Sequence, residues 1–249
     1  MSSSALARSR KPRRGTELVC EGVFRPLAHP LVLVLARLPV PPPLVVAATG
    51  AAGVVAAVEL GRGSLLAAAL LVQLKTLLDN SDGQLARLTA RTSAFGRYLD
   101  SEIDLLVNAA LFAALGWTTG QAALALAGFL ALTSVLSLNF NAERLASRGA
   151  VKPEAERGAT AFLRRIYTVV YGPQDRLAEW LVARRPWLTS SGSLSLLANL
   201  GMSTQLVAFG LLLALGHPLV FAWLALAQLA AVVVVLLPRR VPRRQEEVA

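Results

Sequence analysis

From Pro42 onward the chain alternates long apolar blocks with short polar breaks. Six blocks, 44–60, 64–88, 94–116, 120–144, 194–215 and 218–237, each approach the ~20 residues that a helix needs to cross a bilayer. Gly61-Arg62-Gly63, Gly116-Trp117-Thr118-Thr119-Gly120 and Gly216-His217-Pro218 supply tight breaks between them. A helix in lipid satisfies its own backbone, so the pattern predicts an all-α integral membrane fold with six transmembrane helices. Val23 to Leu38, weakly apolar and interrupted by Pro26 and Pro30, is expected to lie along the cytoplasmic interface as an amphipathic segment. Pro39, Pro41, Pro42 and Pro43 end that segment and start the first span. The implied organisation is a disordered basic N-terminus (1–22), an interfacial segment (23–43), a six-helix domain (44–237) and a basic C-terminal tail (238–249). Within the domain, 145–193 is a polar cytoplasmic insertion. Its Arg164, Arg165, Tyr167, Tyr171, Trp180 and Trp187 suit an interfacial helix, and Asp175 reads as the cap of that helix.

Composition sharpens the membrane reading: 55% of residues are hydrophobic and mean hydropathy is +0.55. The net charge of +10 and pI near 11.1 raise nucleic acid as a partner, and the positions of the charges decide against it. With both termini inside, Arg62 is the one basic residue assigned to an outer loop, while Lys75 falls within the second span. The other basic residues lie in cytoplasmic segments or at cytoplasmic helix ends, a strong positive-inside bias. The expected location is a bacterial cytoplasmic membrane. No cleavable leader is evident, since the first apolar run comes late for one. A lone cysteine, Cys20, permits no intrachain disulfide, and His29 and His217 offer no metal cluster with it.

Against this background the acids are out of place. Five of the fifteen acidic residues, Asp79, Asp82, Asp100, Glu102 and Asp104, fall within 26 residues of otherwise membrane-like helix. A carboxylate at the bilayer centre costs roughly 2.5–3.5 kcal/mol even on permissive insertion scales, so something must compensate. Asp79 and Asp82 are three apart near the end of the second span. Asp100 and Asp104 are four apart near the start of the third. Each pair therefore shares a helix face. Four converging carboxylates make a hard-oxygen site suited to Mg²⁺ or Mn²⁺. Glu102 points elsewhere and reads as the partner of a nearby base. Gly83, Ala86 and Gly96 leave room for a flat base or a diphosphate to approach the backbone, and Arg87 offers a planar fork to phosphate. Lys75, one turn before Asp79, either neutralises an aspartate or binds phosphate.

D-N-S-D-G-Q-L-A-R, eight residues, then G-R-Y-L-D-S-E-I-D resembles the motif of the CDP-alcohol phosphotransferase family. That motif is D-x-x-D-G-x-x-A-R, seven or eight residues, then G-x-x-x-D-x-x-x-D, and all eight of its fixed positions match. The six-helix plan is similar to the family's as well. The resemblance implies two divalent ions on Asp79, Asp82, Asp100 and Asp104. It places cytidine near Gly83 and Ala86, the donor phosphates on Arg87, and the base for the acceptor hydroxyl at Asp104. Gly96 belongs to the same donor-facing set.

The implied partners are membrane lipids, a CDP-activated donor, foremost CDP-diacylglycerol, and an alcohol acceptor. A homodimer is the family expectation. In many phosphatidyltransferases the fourth helix ends in basic residues that hold the acceptor, whereas this chain has neutral Asn139 and Asn141 before Arg144. That substitution weighs against a phosphorylated acceptor such as inositol phosphate or glycerol phosphate, while Arg144 is an acceptor contact or a positive-inside anchor. Two other functions compete: transfer from a soluble CDP-alcohol to a lipid alcohol, and a transporter or channel whose aspartates bind the transported cation.

Overall fold

A computed structural model describes residues 8–9, 13–38, 40–147 and 157–236. The expected C-terminal tail (238–249), Pro39, residues 148–156 of the insertion and most of 1–12 lie outside the described residues. Among the described residues all regular structure is helical. A π-helical turn, Cys20–Phe24, leads into α1 (Arg25–Arg37), followed by α2 (Pro42–Gly61), α3 (Leu65–Leu88), α4 (Ala94–Thr119) and α5 (Ala122–Ala146). Then come α6 (Ala159–Arg184), a 3₁₀ turn, α7 (Ser191–Ala198), α8 (Met202–Ala214) and α9 (Leu219–Leu236). Each predicted block is helical, the fifth in two pieces. Among the described residues, four helical stretches are long and apolar enough to cross a membrane: α2, α5, Ser191–Ala214 and α9. α3 and α4 have the length, but charged residues crowd the half of each nearest their connecting turn.

The layout follows from where small residues allow close approach. α2 lies against both α3 and α4, while α3 and α4 scarcely touch each other. Gly53 explains half of this: a Cβ there would stand 2.4 Å from the Val107 side chain of α4. The gap left between α3 and α4 is where their acidic faces look at each other. Deeper in the bundle, α2, α3, α4, α5, α8 and α9 close around Leu60, Val72, Leu111, Leu132, Phe209 and Phe221. Phe112, Phe129, Phe209 and Phe221 add a cluster of rings with centroids 4.5–6.5 Å apart. Outward, Leu66, Leu70 and Leu74 of α3 and Trp223 and Val234 of α9 stay exposed, an apolar exterior that suits lipid.

Three local features depart from the sequence reading. Residues 13–22 fall in the stretch expected to be disordered, yet they are seated across one end of the bundle. The Arg14 and Gly15 N–H groups donate to the Glu143 carboxylate at 2.7 and 3.3 Å. Thr16 N–H donates to Ser195 Oγ, and Leu18 N–H to Asn199 Oδ1 at 2.9 Å.

The fifth block is broken between α7 and α8 at residues 199–201. Asn199 is committed elsewhere, because its Nδ2 donates to the Thr16 and Ser195 carbonyls. Gln205 Nε2 bonds the Leu200 carbonyl freed by the break.

Finally, α6 continues past Pro173, so Asp175 lies inside the helix and is not its cap. A proline leaves the carbonyl four residues back without its partner. Here that residue is Val169, 77% exposed, where a polar surround can solvate the carbonyl.

Candidate active site

Asp79 and Asp82 sit one turn apart on α3, and Asp100 and Asp104 one turn apart on α4. Carboxylate oxygens of Asp79, Asp82 and Asp100 come within 4.8 Å of one another, which brings three of the four expected ligands together across the gap. Asp82 is buried and its Oδ2 has no hydrogen-bond partner. An unpaired buried polar atom costs roughly 1–3 kcal/mol, more when charged. A hard divalent cation is the group that would relieve it, and three clustered carboxylates are the donor set such ions prefer. The residues present therefore fit the metal that the sequence implies.

Asp104 stands apart from this triangle. Its carboxylate is ion-paired with the Lys75 ammonium, which also lies 3.5 Å from Asp79 Oδ1. Lys75 is only 1% exposed. Of the two roles open to it, the geometry displays neutralisation of an aspartate.

On the donor side, Gly83, Ala86 and Arg87 continue the face of α3. The Arg87 side chain folds back over Gly83, where a Cβ would stand 3.1 Å from Nη1. A side chain at 83 would require the guanidinium to give by a few tenths of an ångström. Arg87 Nε donates to the Ser9 carbonyl at 2.6 Å, a contact with no signal in the sequence. Gly96 lies in the first turn of α4, its N–H held by the capping Ser93 Oγ at 3.0 Å.

The proposed acceptor contacts divide. Residues two apart on a helix face different ways, and Asn139 and Asn141 do so. Asn141 is fully buried against α6 and donates through Nδ2 to Asp175 Oδ1 at 2.8 Å. Arg144 bonds Asn141 Oδ1 at 2.7 Å and pairs with Glu179. Both are thus engaged in the contact between α5 and α6, while Asn139 is half-buried.

α6 also brings residues that sequence reasoning did not assign to the site. Tyr167, Tyr171 and Asp175 recur every four residues, a spacing that marks one face. Tyr167 donates to Asp175 Oδ2 at 3.2 Å, and Tyr171 to the Ser101 carbonyl at 3.1 Å, next to Asp100. Tyr98 of α4 and Tyr171 flank the Tyr167 ring at 5.5 and 4.9 Å. Burial, followed by the charges of Glu102 and Asp104, pushes the Tyr171 hydroxyl well above the usual phenol range. Tyr167 is raised by burial and then by Asp175. Glu102, read as the partner of a base, pairs with none among the described residues; it is buried with Oε1 unpartnered.

The sequence profile of CDP-alcohol phosphatidyltransferases matches residues 27–237. An archaetidylinositol phosphate synthase of Methanothermobacter thermautotrophicus is 33% identical over 144 residues, 58% of this chain and 68% of that protein. A bifunctional IPC transferase and DIPP synthase of Thermococcus kodakarensis is 35% identical over 99 residues, 39% of this chain; the match spans just 22% of that longer protein. The profile covers α2 to α9 and every residue of the acidic site, and the chain belongs to the CDP-alcohol phosphatidyltransferase family.

Proposed function

We propose that this chain is a membrane phosphatidyltransferase that moves a phosphatidyl group from CDP-diacylglycerol to an alcohol and releases CMP. The observation that carries this reading is the meeting of Asp79, Asp82 and Asp100, with an unpaired buried oxygen on Asp82, five residues before Arg87. Asp79, Asp82, Asp100 and Asp104 would hold two divalent ions, Mg²⁺ or Mn²⁺. When bound, such ions screen the donor diphosphate and stabilise charge on departing CMP.

The protein's own groups do the rest. Gly83 and Ala86 leave the α3 face low enough for cytidine to lie on it, with Gly96 opposite. The Arg87 guanidinium takes the donor phosphates. Asp104 accepts the proton of the acceptor hydroxyl as its oxygen bonds to the phosphorus that carries diacylglycerol. The bridging bond to CMP breaks, and CMP leaves with the electron pair.

Six membrane-spanning helices are proposed: α2, α3, α4, α5, the α7–α8 pair and α9, with α1 and α6 at the cytoplasmic interface. α3, at 24 residues, is about 36 Å long, which supports a span. This arrangement puts both termini and the acids on the cytoplasmic side of the cytoplasmic membrane. Pairing as a homodimer is part of the same reading. Membership of a transferase family removes the ground for a transporter.

The named product of the Methanothermobacter relative contains inositol phosphate, while the neutral Asn139, half-buried on α5, weighs against a phosphorylated acceptor; Asn141 is engaged by Asp175 and Arg144. The deciding experiment supplies labelled CDP-diacylglycerol with inositol, inositol phosphate, glycerol phosphate and other alcohols, and identifies the lipid formed. CDP-choline and CDP-ethanolamine compete in parallel. CMP release from these with a lipid alcohol, and none from CDP-diacylglycerol, would reverse the assignment of donor.

A further inference from the structure

We propose that Lys75 is a built-in cation of the acidic site that occupies the carboxylates of Asp79 and Asp104, so that the protein alone binds one divalent ion and a second comes with the donor. This rests on the reading of the four aspartates as a divalent-cation site.

Three observations point the same way. The oxygens that gather for a cation belong to Asp79, Asp82 and Asp100, and Asp104 is outside their group. Asp104 is instead engaged by the Lys75 ammonium, which reaches Asp79 as well, so one amine spans carboxylates on both helices. And Lys75 is among the largest fully buried side chains of the protein, at 1% exposure. An ammonium so enclosed is costly to leave unpaired, and these two carboxylates are its partners.

Charge balance gives the order of events. Four carboxylates and one ammonium carry a formal charge of −3. One divalent ion on the first three aspartates leaves a net negative site, whereas a second would make it positive beside a buried ammonium. Like charges at such separations repel strongly in a poorly solvated pocket. A CDP donor brings one negative charge on each phosphate and reverses that balance. Lys75 is then a positioning residue: it holds Asp104 in place, and it yields that carboxylate when the donor arrives with its ion.

The test counts Mn²⁺ on the detergent-solubilised full chain by equilibrium dialysis, with and without CDP at equal concentration on both sides. Electron paramagnetic resonance then reports whether two ions sit as a coupled pair, about 3.5–4 Å apart as in two-metal sites. Wild type is expected to bind one uncoupled ion alone and a coupled pair with CDP. Lys75→Met, similar in length and uncharged, is expected to bind a coupled pair without CDP. Two coupled ions on wild type without nucleotide would overturn the proposal, as would a folded Lys75→Met that still holds one. The wild-type comparison stands even if that variant fails to fold. A folded wild type that binds no Mn²⁺ under either condition would sink the cation-site reading itself, and the proposal with it.

Discussion

Lys75 and Asp104, 29 residues apart in sequence, are joined as an ion pair across the gap between α3 and α4. The pair links the two halves of the acidic site, and it places the proposed base of the reaction under the control of a buried cation.

Loss of either of two aspartates should abolish turnover while the protein inserts normally. Asp104→Asn removes the proton acceptor and is expected to slow CMP release by roughly 10²-fold or more. Asp82→Asn removes the buried oxygen that lacks a partner and should weaken Mn²⁺ binding as well. Substantial activity in either variant would remove the role given to that residue.

Metal removal should act on both activity and stability. A chelator is expected to stop CMP release and to lower the melting midpoint, since carboxylates gathered within 4.8 Å lose the ion that offsets their repulsion. Added Mg²⁺ or Mn²⁺ should restore both. Full activity in excess chelator would count decisively against the mechanism.

Gly83→Ala separates stability from function. In a helix interior this change usually stabilises by about 0.5–1 kcal/mol. The new Cβ, however, would stand 3.1 Å from Arg87 Nη1, so the guanidinium must shift by a few tenths of an ångström on the donor side. The expected result is an unchanged or higher melting midpoint with a raised KM for the CDP donor. A lower KM would show that Arg87 is better placed elsewhere.

The tyrosines of α6 predict an alkaline limit. Burial, then Glu102 and Asp104, raises the Tyr171 hydroxyl, so the folded protein favours its neutral form. That contribution is fully present below the unfolded value, about pH 10, and is lost as pH rises toward the folded one. The melting midpoint should fall above about pH 10, and Tyr171→Phe should flatten part of the fall. An unaltered slope in that variant would mean that other groups account for it.

Much of this was legible in the chain. Apolar blocks of bilayer length cannot be hidden by local detail, and acids inside them announce a site because the lipid environment penalises them so heavily. The gathering of Asp79 and Asp82 with Asp100 needed only helical spacing and a short turn. What stayed illegible depends on partners distant in sequence. The break at residues 199–201 divides a mainly apolar block where Asn199 bonds Thr16 and Leu18. Asn139 and Asn141 looked equivalent until packing against Asp175 buried one of them. Lys75 had two roles open to it because charge alone does not say which carboxylate an amine will meet.

The seated stretch from Arg14 to Leu18 binds mostly through main-chain atoms, which every residue except proline shares. Exchanging the side chains of Arg14 or Thr16 should therefore leave this fastening intact. Gly15 is different: a Cβ there would stand 2.5 Å from the Leu194 carbonyl oxygen. A single methyl group at that position would lift the leading segment off α7, and with it a link that ties this segment to α5 and to the end of α7.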